Sequence, residues 1–146
     1  MPKVKTSRKP TSLVGKNFCF VCGGDNSQGM RLKFSMEADL PTVKGTFYLA
    51  HRYMGPTTST HSGIVAAIVD EAMGKLARHN RSNERAVEIT VKHLHPVPLG
   101  HKIIVEAHPL EQRGKHSWRE CTIRDARGRL LVQGKAEFVR VARTGD

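Results

Sequence analysis

The chain has 146 residues, of which 38% are hydrophobic and 25% charged, and its formal net charge is +11. This length fits one domain with a core of its own and is too short for two. No apolar run approaches the roughly 18 residues of a membrane span, and the basic segment 1–10 lacks the apolar stretch of a secretory signal, so we expect a cytoplasmic protein.

The positive charge bears on the class of partner. Nucleic acid is attracted by such a charge, but the basic residues are spread along the chain and only 5% of residues are aromatic. Neither a recognition helix nor a stacking platform is therefore predicted, which makes nucleic acid an unfavoured partner. A small substrate that carries several phosphates would be attracted equally well.

The first part of the chain predicts an arm and a loop. Residues 1–16 are expected to form a flexible basic arm, and the folded domain is expected to occupy residues 17–146. Cys19 and Cys22 have the spacing of a zinc knuckle, but a structural zinc site takes four ligands and the chain has no second Cys-x-x-Cys. We predict no metal site; a zinc ion would need further ligands, for which the candidates are His51, His61 and His116.

The next segments predict two strands followed by one long helix. Residues 31–37 alternate polar and apolar side chains, and residues 43–49 do so again after a proline, which indicates a hairpin. An apolar helix is predicted over 62–79, with Ser59 or Thr60 as its N-cap. Four strand-like runs follow, at 86–94, 101–108, 115–124 and 129–141.

This order of elements predicts the fold class. Four consecutive strands joined by short turns favour an antiparallel meander, and hence an α+β protein. Because the single helix is apolar over most of its surface, we expect the sheet to curve around it.

Two adjacent acids near the middle of the helix are the first candidates for chemistry. Asp70 has small or apolar residues one turn away on either side and no local cation, so desolvation is expected to raise the pKa of its carboxyl group towards the range of a general base. Glu71 precedes Lys75 by four residues, an arrangement typical of a surface ion pair. The structural alternative for Asp70 is a carboxyl group hydrogen-bonded in the core.

The helix start carries a motif with a known likeness. His61-Ser62-Gly63, with an acid nine residues after the histidine, resembles the His-Gly-Gly motif of the hotdog-fold acyl-CoA thioesterases of the phenylacetate-pathway type. The resemblance covers about residues 17–141, and it departs from the family pattern at Ser62, which replaces the first glycine. Its other elements are Cys19-Phe-Val-Cys22-Gly23, Tyr53-Met-Gly55-Pro56, Pro96-Val-Pro98-Leu-Gly100 and Gly134-Lys-Ala136-Glu-Phe138.

The resemblance implies a hotdog fold, an antiparallel sheet wrapped around one long central helix, and hydrolysis of an acyl-CoA thioester without a metal or redox cofactor. It makes Asp70 the base, or the nucleophile, and gives His61 a role in positioning the substrate; Glu71 is the second choice for the acid. The backbone N–H groups of Ser62 and Gly63 are among the first four of the helix, which lack partners within it, so they suit an oxygen that gains negative charge. The candidates for binding the phosphates of CoA are Lys92, Arg113, Lys115 and Arg78.

The spacing of His61 and Asp70 predicts an assembly. Nine residues of helix place the two side chains about 13 Å apart along the axis and on opposite sides of it. One chain therefore cannot bring both to the same bond, whereas two antiparallel helices related by a two-fold axis can. We expect a homodimer with two shared sites. Two such dimers could also pair into a homotetramer, and the sequence does not decide between these assemblies.

Two other functions stay open as well. A hotdog hydratase or dehydratase would need an aspartate and a histidine in one chain's site, and this spacing does not offer such a pair. A non-catalytic module that binds acyl-CoA or nucleic acid is the other alternative.

Overall fold

The computed structural model describes residues 16–37, 41–79 and 83–142, and at Arg78 and His79 it describes only the backbone. The predicted arm, apart from residue 16, lies outside this part of the chain. The chain divides into two compact units, Met1–Arg31 and Leu32–Asp146. No helix in the described residues is long and apolar enough to cross a membrane.

The first unit is built from turns around the cysteine pair. The Gly23 N–H donates to the Cys19 carbonyl oxygen at 2.9 Å, and the Asn17 side-chain amide donates to the Cys22 sulfur at 3.7 Å. A Cβ atom at residue 23 would lie 2.5 Å from backbone atoms of Cys19, so only glycine fits this turn. The unit thus brings two thiols together, half of the ligand set of a structural zinc site.

In its described residues the second unit consists of a six-stranded antiparallel sheet, one α-helix and the short 3-10 helix His51–Tyr53, and it confirms the predicted α+β class. The strands lie in the order β1-β2-β4-β5-β6-β3, so that β1 and β3 form the two edges. The elements are β1 Ser35–Met36, β2 Val43–Tyr48, α1 Ser62–His79, β3 Glu84–His93, β4 Lys102–Arg113, β5 His116–Asp125 and β6 Leu130–Arg140.

Three local predictions were wrong. Strand β1 has two residues where alternation predicted seven. The predicted four-strand meander holds only for β4, β5 and β6, because β3 pairs with β6 at the sheet edge and β4 pairs with β2. The reason is the connection from His93 to Lys102, which contains two prolines and is too long for a hairpin turn. The N-cap is His61, for which the evidence is given below.

The helix packs one face against the sheet and forms the core with it. The residues of α1 that are almost fully buried are Val65, Ile68, Val69, Ala72 and Met73. The most deeply buried positions of the strands are Val43, Ile103, Val105, Ala107, Cys121, Ile123 and Val132. Gly134 on β6 allows the close approach, since a Cβ atom there would overlap the Val69 side chain.

A buried arginine ties the second half of the helix to the sheet. Arg119 on β5 is 4% exposed and forms an ion pair with Glu84, the first residue of β3. Its other terminal nitrogen donates to the Met73 carbonyl oxygen of the helix at 3.0 Å, and its guanidinium lies 4.3 Å from the centre of the Phe138 ring. One side chain therefore links the helix with three strands.

Candidate functional site

A cleft of about 310 Å³ opens at the N-terminus of α1. Its walls are the loop that precedes the helix, residues 55–62 without Thr58, the helix residue Val65, and the segment 93–97 that leaves strand β3. The cleft lies at the end of the sheet where β4 begins at Lys102 and β5 ends at Asp125, and we call this the cleft end. The hairpin between β4 and β5 lies at the opposite end, the hairpin end.

Backbone hydrogen bonds hold the helix start in place. The Thr60 N–H donates to the Val97 carbonyl oxygen at 2.9 Å, and the His61 N–H donates to the Tyr53 carbonyl oxygen at 2.8 Å. Between them the Gly55 N–H donates to the Ser59 carbonyl oxygen at 2.7 Å. The first N–H groups of the helix are thus presented to the cleft from a backbone that is fixed on both sides.

The histidine at the helix start acts as the N-cap. Its Nδ1 atom accepts a hydrogen bond from the Gly63 N–H at 2.9 Å, while its carbonyl oxygen accepts the first helical bond from Val65. A Cβ atom at residue 63 would lie 3.1 Å from the same Nδ1, so a side chain there would require the imidazole to move slightly. Ser59 and Thr60 precede the cap position, so the predicted hydroxyl cap is replaced by an imidazole.

This cap leaves one of the two predicted oxyanion donors available. Within the described residues the Ser62 N–H has no acceptor, whereas the Gly63 N–H is already bonded to the imidazole. Ser62 is exposed and lines the cleft.

Asp70 lies on the outer face of the helix and does not line the cleft. Partial burial raises the pKa of its carboxyl group above the ordinary value, and the neighbouring charge of Glu71 raises it further. This is the direction in which a carboxylate becomes a better general base at neutral pH. The structure therefore separates Asp70 from His61 in one chain, as the spacing along the helix requires.

The second acid is less exposed than its sequence context predicted. Glu71 forms the predicted ion pair with Lys75, at 3.6 Å, but the two side chains are only 19% and 16% exposed. Both groups of the pair are therefore partly buried and do not form the exposed surface pair that the sequence predicted.

The predicted CoA-binding residues are not brought together. Arg113 and Lys115 flank Gly114 in the β4–β5 hairpin, at the far end of a 12-residue strand that spans roughly 35 Å. Lys92 lies near the cleft end, on the sheet face opposite the helix. The side chain of Arg78 lies outside the described residues.

Sequence reasoning missed three residues of the cleft. Thr60 is 6% exposed, and its Oγ1 atom is buried without a hydrogen-bond partner in the described residues. His93 and His95 line the opposite wall, and neither was a candidate from the sequence. A usable signal was present, since both histidines precede the Pro96-Val-Pro98 segment that carried part of the resemblance.

Comparison with known proteins gives concordant matches. The thioesterase superfamily matches residues 58–132. Acyl-coenzyme A thioesterase THEM4 of Xenopus laevis is 26% identical over 88 residues, which are 60% of this chain and 40% of that protein. The chain thus spans less than half the length of this relative.

Solved structures share the fold. Protein RHA08564, a thioesterase superfamily protein, superposes with a TM-score of 0.76 at 23% identity, over 82% of this chain and 61% of that one. The PaaI protein from the phenylacetic acid degradation operon of E. coli has a TM-score of 0.70 at 14% identity, over 76% of this chain and 80% of that one.

Proposed function

The chain belongs to the thioesterase superfamily, and on that basis we propose that it hydrolyses an acyl-CoA thioester to the free acid and CoA. The predicted hotdog fold and family resemblance are confirmed. Acyl-CoA as the substrate class is supported by the function of the frog relative. The observation that carries the proposal is the helix itself, which places an available N–H group at a cleft and a carboxyl group of raised pKa along its outer face.

The proposed reaction uses these two groups on opposite sides of the thioester. Asp70 removes a proton from a water molecule, whose oxygen attacks the carbonyl carbon while the carbonyl oxygen gains negative charge. The Ser62 N–H, at the positive end of the helix dipole, stabilises that oxygen. The carbon–sulfur bond then breaks, its electron pair stays on the sulfur, and the departing thiolate takes a proton from Asp70, which restores the carboxylate. The Gly63 N–H contributes only if the His61 imidazole turns away from it.

The two groups meet in an assembly of two chains. Asp70 lies outside the cleft of its own chain, and the outer helix face around it carries small residues, Gly63, Ala66, Ala67 and Gly74, which permit close packing of a second helix. Strand β3 supplies a further contact surface, because in the described residues its ten-residue outer edge has no paired strand. An antiparallel partner would place its Asp70 at this chain's cleft.

We expect sedimentation at micromolar concentration to show a species of at least twice 16.2 kDa. A dimer of dimers would appear as a further doubling. A stable monomer with full activity would refute the shared site, since one chain does not bring Asp70 to its own cleft.

Release of free thiol from short, long and aromatic acyl-CoAs tests the proposed function. We expect hydrolysis of at least one of them without added metal or redox cofactor. Binding of acyl-CoA without thiol release, or salt-sensitive binding of DNA or RNA in its place, would contradict the proposal and favour a binding module.

A further inference from the structure

The cleft end of the sheet carries a marked excess of positive charge. Three segments meet there, residues 48–61, 92–102 and 124–131, and Asp125 is their only acidic residue. Five histidines lie in the same segments, two of them in the cleft wall opposite the helix. Their lysine and arginine residues are Arg52, Lys92, Lys102, Arg124, Arg127 and Arg129.

The single acid is used to build the turn between β5 and β6. One carboxylate oxygen of Asp125 accepts the backbone N–H groups of both Arg127 and Arg129, each at 2.9 Å. The Arg124 guanidinium donates to the Gly128 carbonyl oxygen at 3.1 Å, and Gly128 has a φ of +84° that favours glycine. The turn is therefore ordered by its own hydrogen bonds and presents the side chains of Arg127 and Arg129 to solvent.

Arg129 connects this turn to the cleft. A terminal nitrogen of its guanidinium lies 2.9 and 3.0 Å from the two ring nitrogens of His95, which lines the cleft. The backbone of His95 is held as well, because its N–H and that of Leu94 both donate to the Leu131 carbonyl oxygen. A guanidinium group is thus fixed at the rim of the cleft.

Three cations towards the hairpin end are paired with carboxylates. There Arg113 pairs with Glu111 at 2.7 Å, His116 with Glu137 at 3.0 Å, and Arg119 with Glu84. At the cleft end, by contrast, no carboxylate of the described residues forms an ion pair with Arg124, Arg127 or Arg129. Arg124, Arg127 and Arg129 are therefore three cations near the cleft whose charge no carboxylate of the described residues neutralises through an ion pair.

We infer that Arg127, Arg129 and His95 bind the phosphate groups of the substrate's CoA carrier, while the thioester lies in the adjoining cleft. This inference rests on the proposed function and assigns the phosphate site to residues other than the sequence candidates Arg113 and Lys115. Guanidinium groups suit the task because their planar N–H donors match two phosphate oxygens at once. The lysine and arginine residues of the same three segments add a field that draws a polyanion towards the cleft.

The test compares two substrates that differ only in their phosphates. Arg127→Gln, Arg129→Gln and the double variant are assayed with an acyl-CoA and with the same acyl group on N-acetylcysteamine, a neutral truncated thiol. For the double variant we expect KM for acyl-CoA to rise at least about tenfold, the loss typical of charge-assisted hydrogen bonds. The increase of KM with ionic strength should weaken, and the parameters for the truncated thioester should stay unchanged. Arg140→Gln, at the exposed hairpin end of β6, serves as the matched control.

Calorimetric titration with CoA provides a readout that does not depend on turnover. If the unmodified protein binds CoA but hydrolyses neither thioester, and the double variant no longer binds CoA, the inference survives and the proposed function fails. If both thioesters are affected equally, or neither is, the inference is overturned, since the arginines then do not act on the phosphates. A selective rise of KM in Arg113→Gln instead would also overturn it, by placing the phosphates at the hairpin end.

Discussion

Asp70→Asn is expected to lower kcat for acyl-CoA hydrolysis by at least about 10²-fold, because general-base catalysis typically contributes about 10²–10⁴-fold. The amide keeps the size of the carboxyl group but cannot accept the proton of the attacking water. Steady-state thiol release measures the effect, and sedimentation of the same sample verifies that the assembly is intact.

Glu71→Gln is the matched control, since it changes the other acid of the same dipeptide. This variant weakens the ion pair with Lys75 and should retain most of the activity. Its free energy of unfolding is measured in the same experiment. Loss of activity in the Glu71 variant with retention in the Asp70 variant would reverse the assignment. Retention in both would show that the acids of α1 are structural.

The pH dependence supplies a second readout for Asp70. The base acts in its ionised form, so kcat/KM should fall as the pH is lowered through the raised pKa of Asp70, at a pH above the ordinary range for aspartate. For stability the sign is opposite: a carboxyl group with a higher pKa in the folded state favours folding at low pH, and this contribution is lost as the pH rises through the folded-state pKa. At neutral pH the free energy of unfolding of Asp70→Asn should therefore be higher than that of the parent protein. Below the unfolded-state pKa this advantage of the variant should disappear.

Arg119→Met is expected to lower the free energy of unfolding by about 3–5 kcal/mol, the range for removing one partner of a buried ion pair. The substitution leaves the Glu84 carboxylate, whose side chain is 7% exposed, without this guanidinium, and it removes the hydrogen bond to the Met73 carbonyl oxygen. Urea denaturation at one fixed protein concentration measures the loss, since the stability of an oligomer depends on concentration.

Two further variants separate the buried pair from general effects of charge. Adding Glu84→Gln to Arg119→Met should recover part of the loss, because the buried charge is then removed. Arg113→Met breaks an ion pair whose side chains are 74% and 49% exposed, and should cost no more than about 1 kcal/mol. A loss for Arg119→Met as small as that for Arg113→Met would show that Glu84 is well solvated.

Features that depend on neighbouring residues were predicted well from the sequence. The helix bounds, Ser62–His79, agree with the prediction. Helix formation in a long apolar run depends mainly on residues that are close together in the sequence. Strand β2 was found for the same reason, as alternation over 43–48 is a local property. The separation of His61 from Asp70 followed from helix geometry alone.

The tertiary structure decided what distant segments do to one another. Alternation of polar and apolar residues does not specify a partner, so the pairing of β3 with β6 and of β4 with β2 could not be predicted from it. The covering of Glu71, the imidazole cap on Gly63 and the wall formed by His93 and His95 likewise depend on how loops and elements pack.

The sequence by itself determined the helix, its acids, the family motif and the net charge of +11. Only the tertiary structure decided which cations are paired, because it joins Arg113, His116 and Arg119 to carboxylates and places Arg129 against His95 at the cleft. The physical reason is the separation along the chain over which each interaction acts. Helix formation and alternation act over a few residues, whereas ion pairing and cleft formation join groups that lie tens of residues apart in the chain.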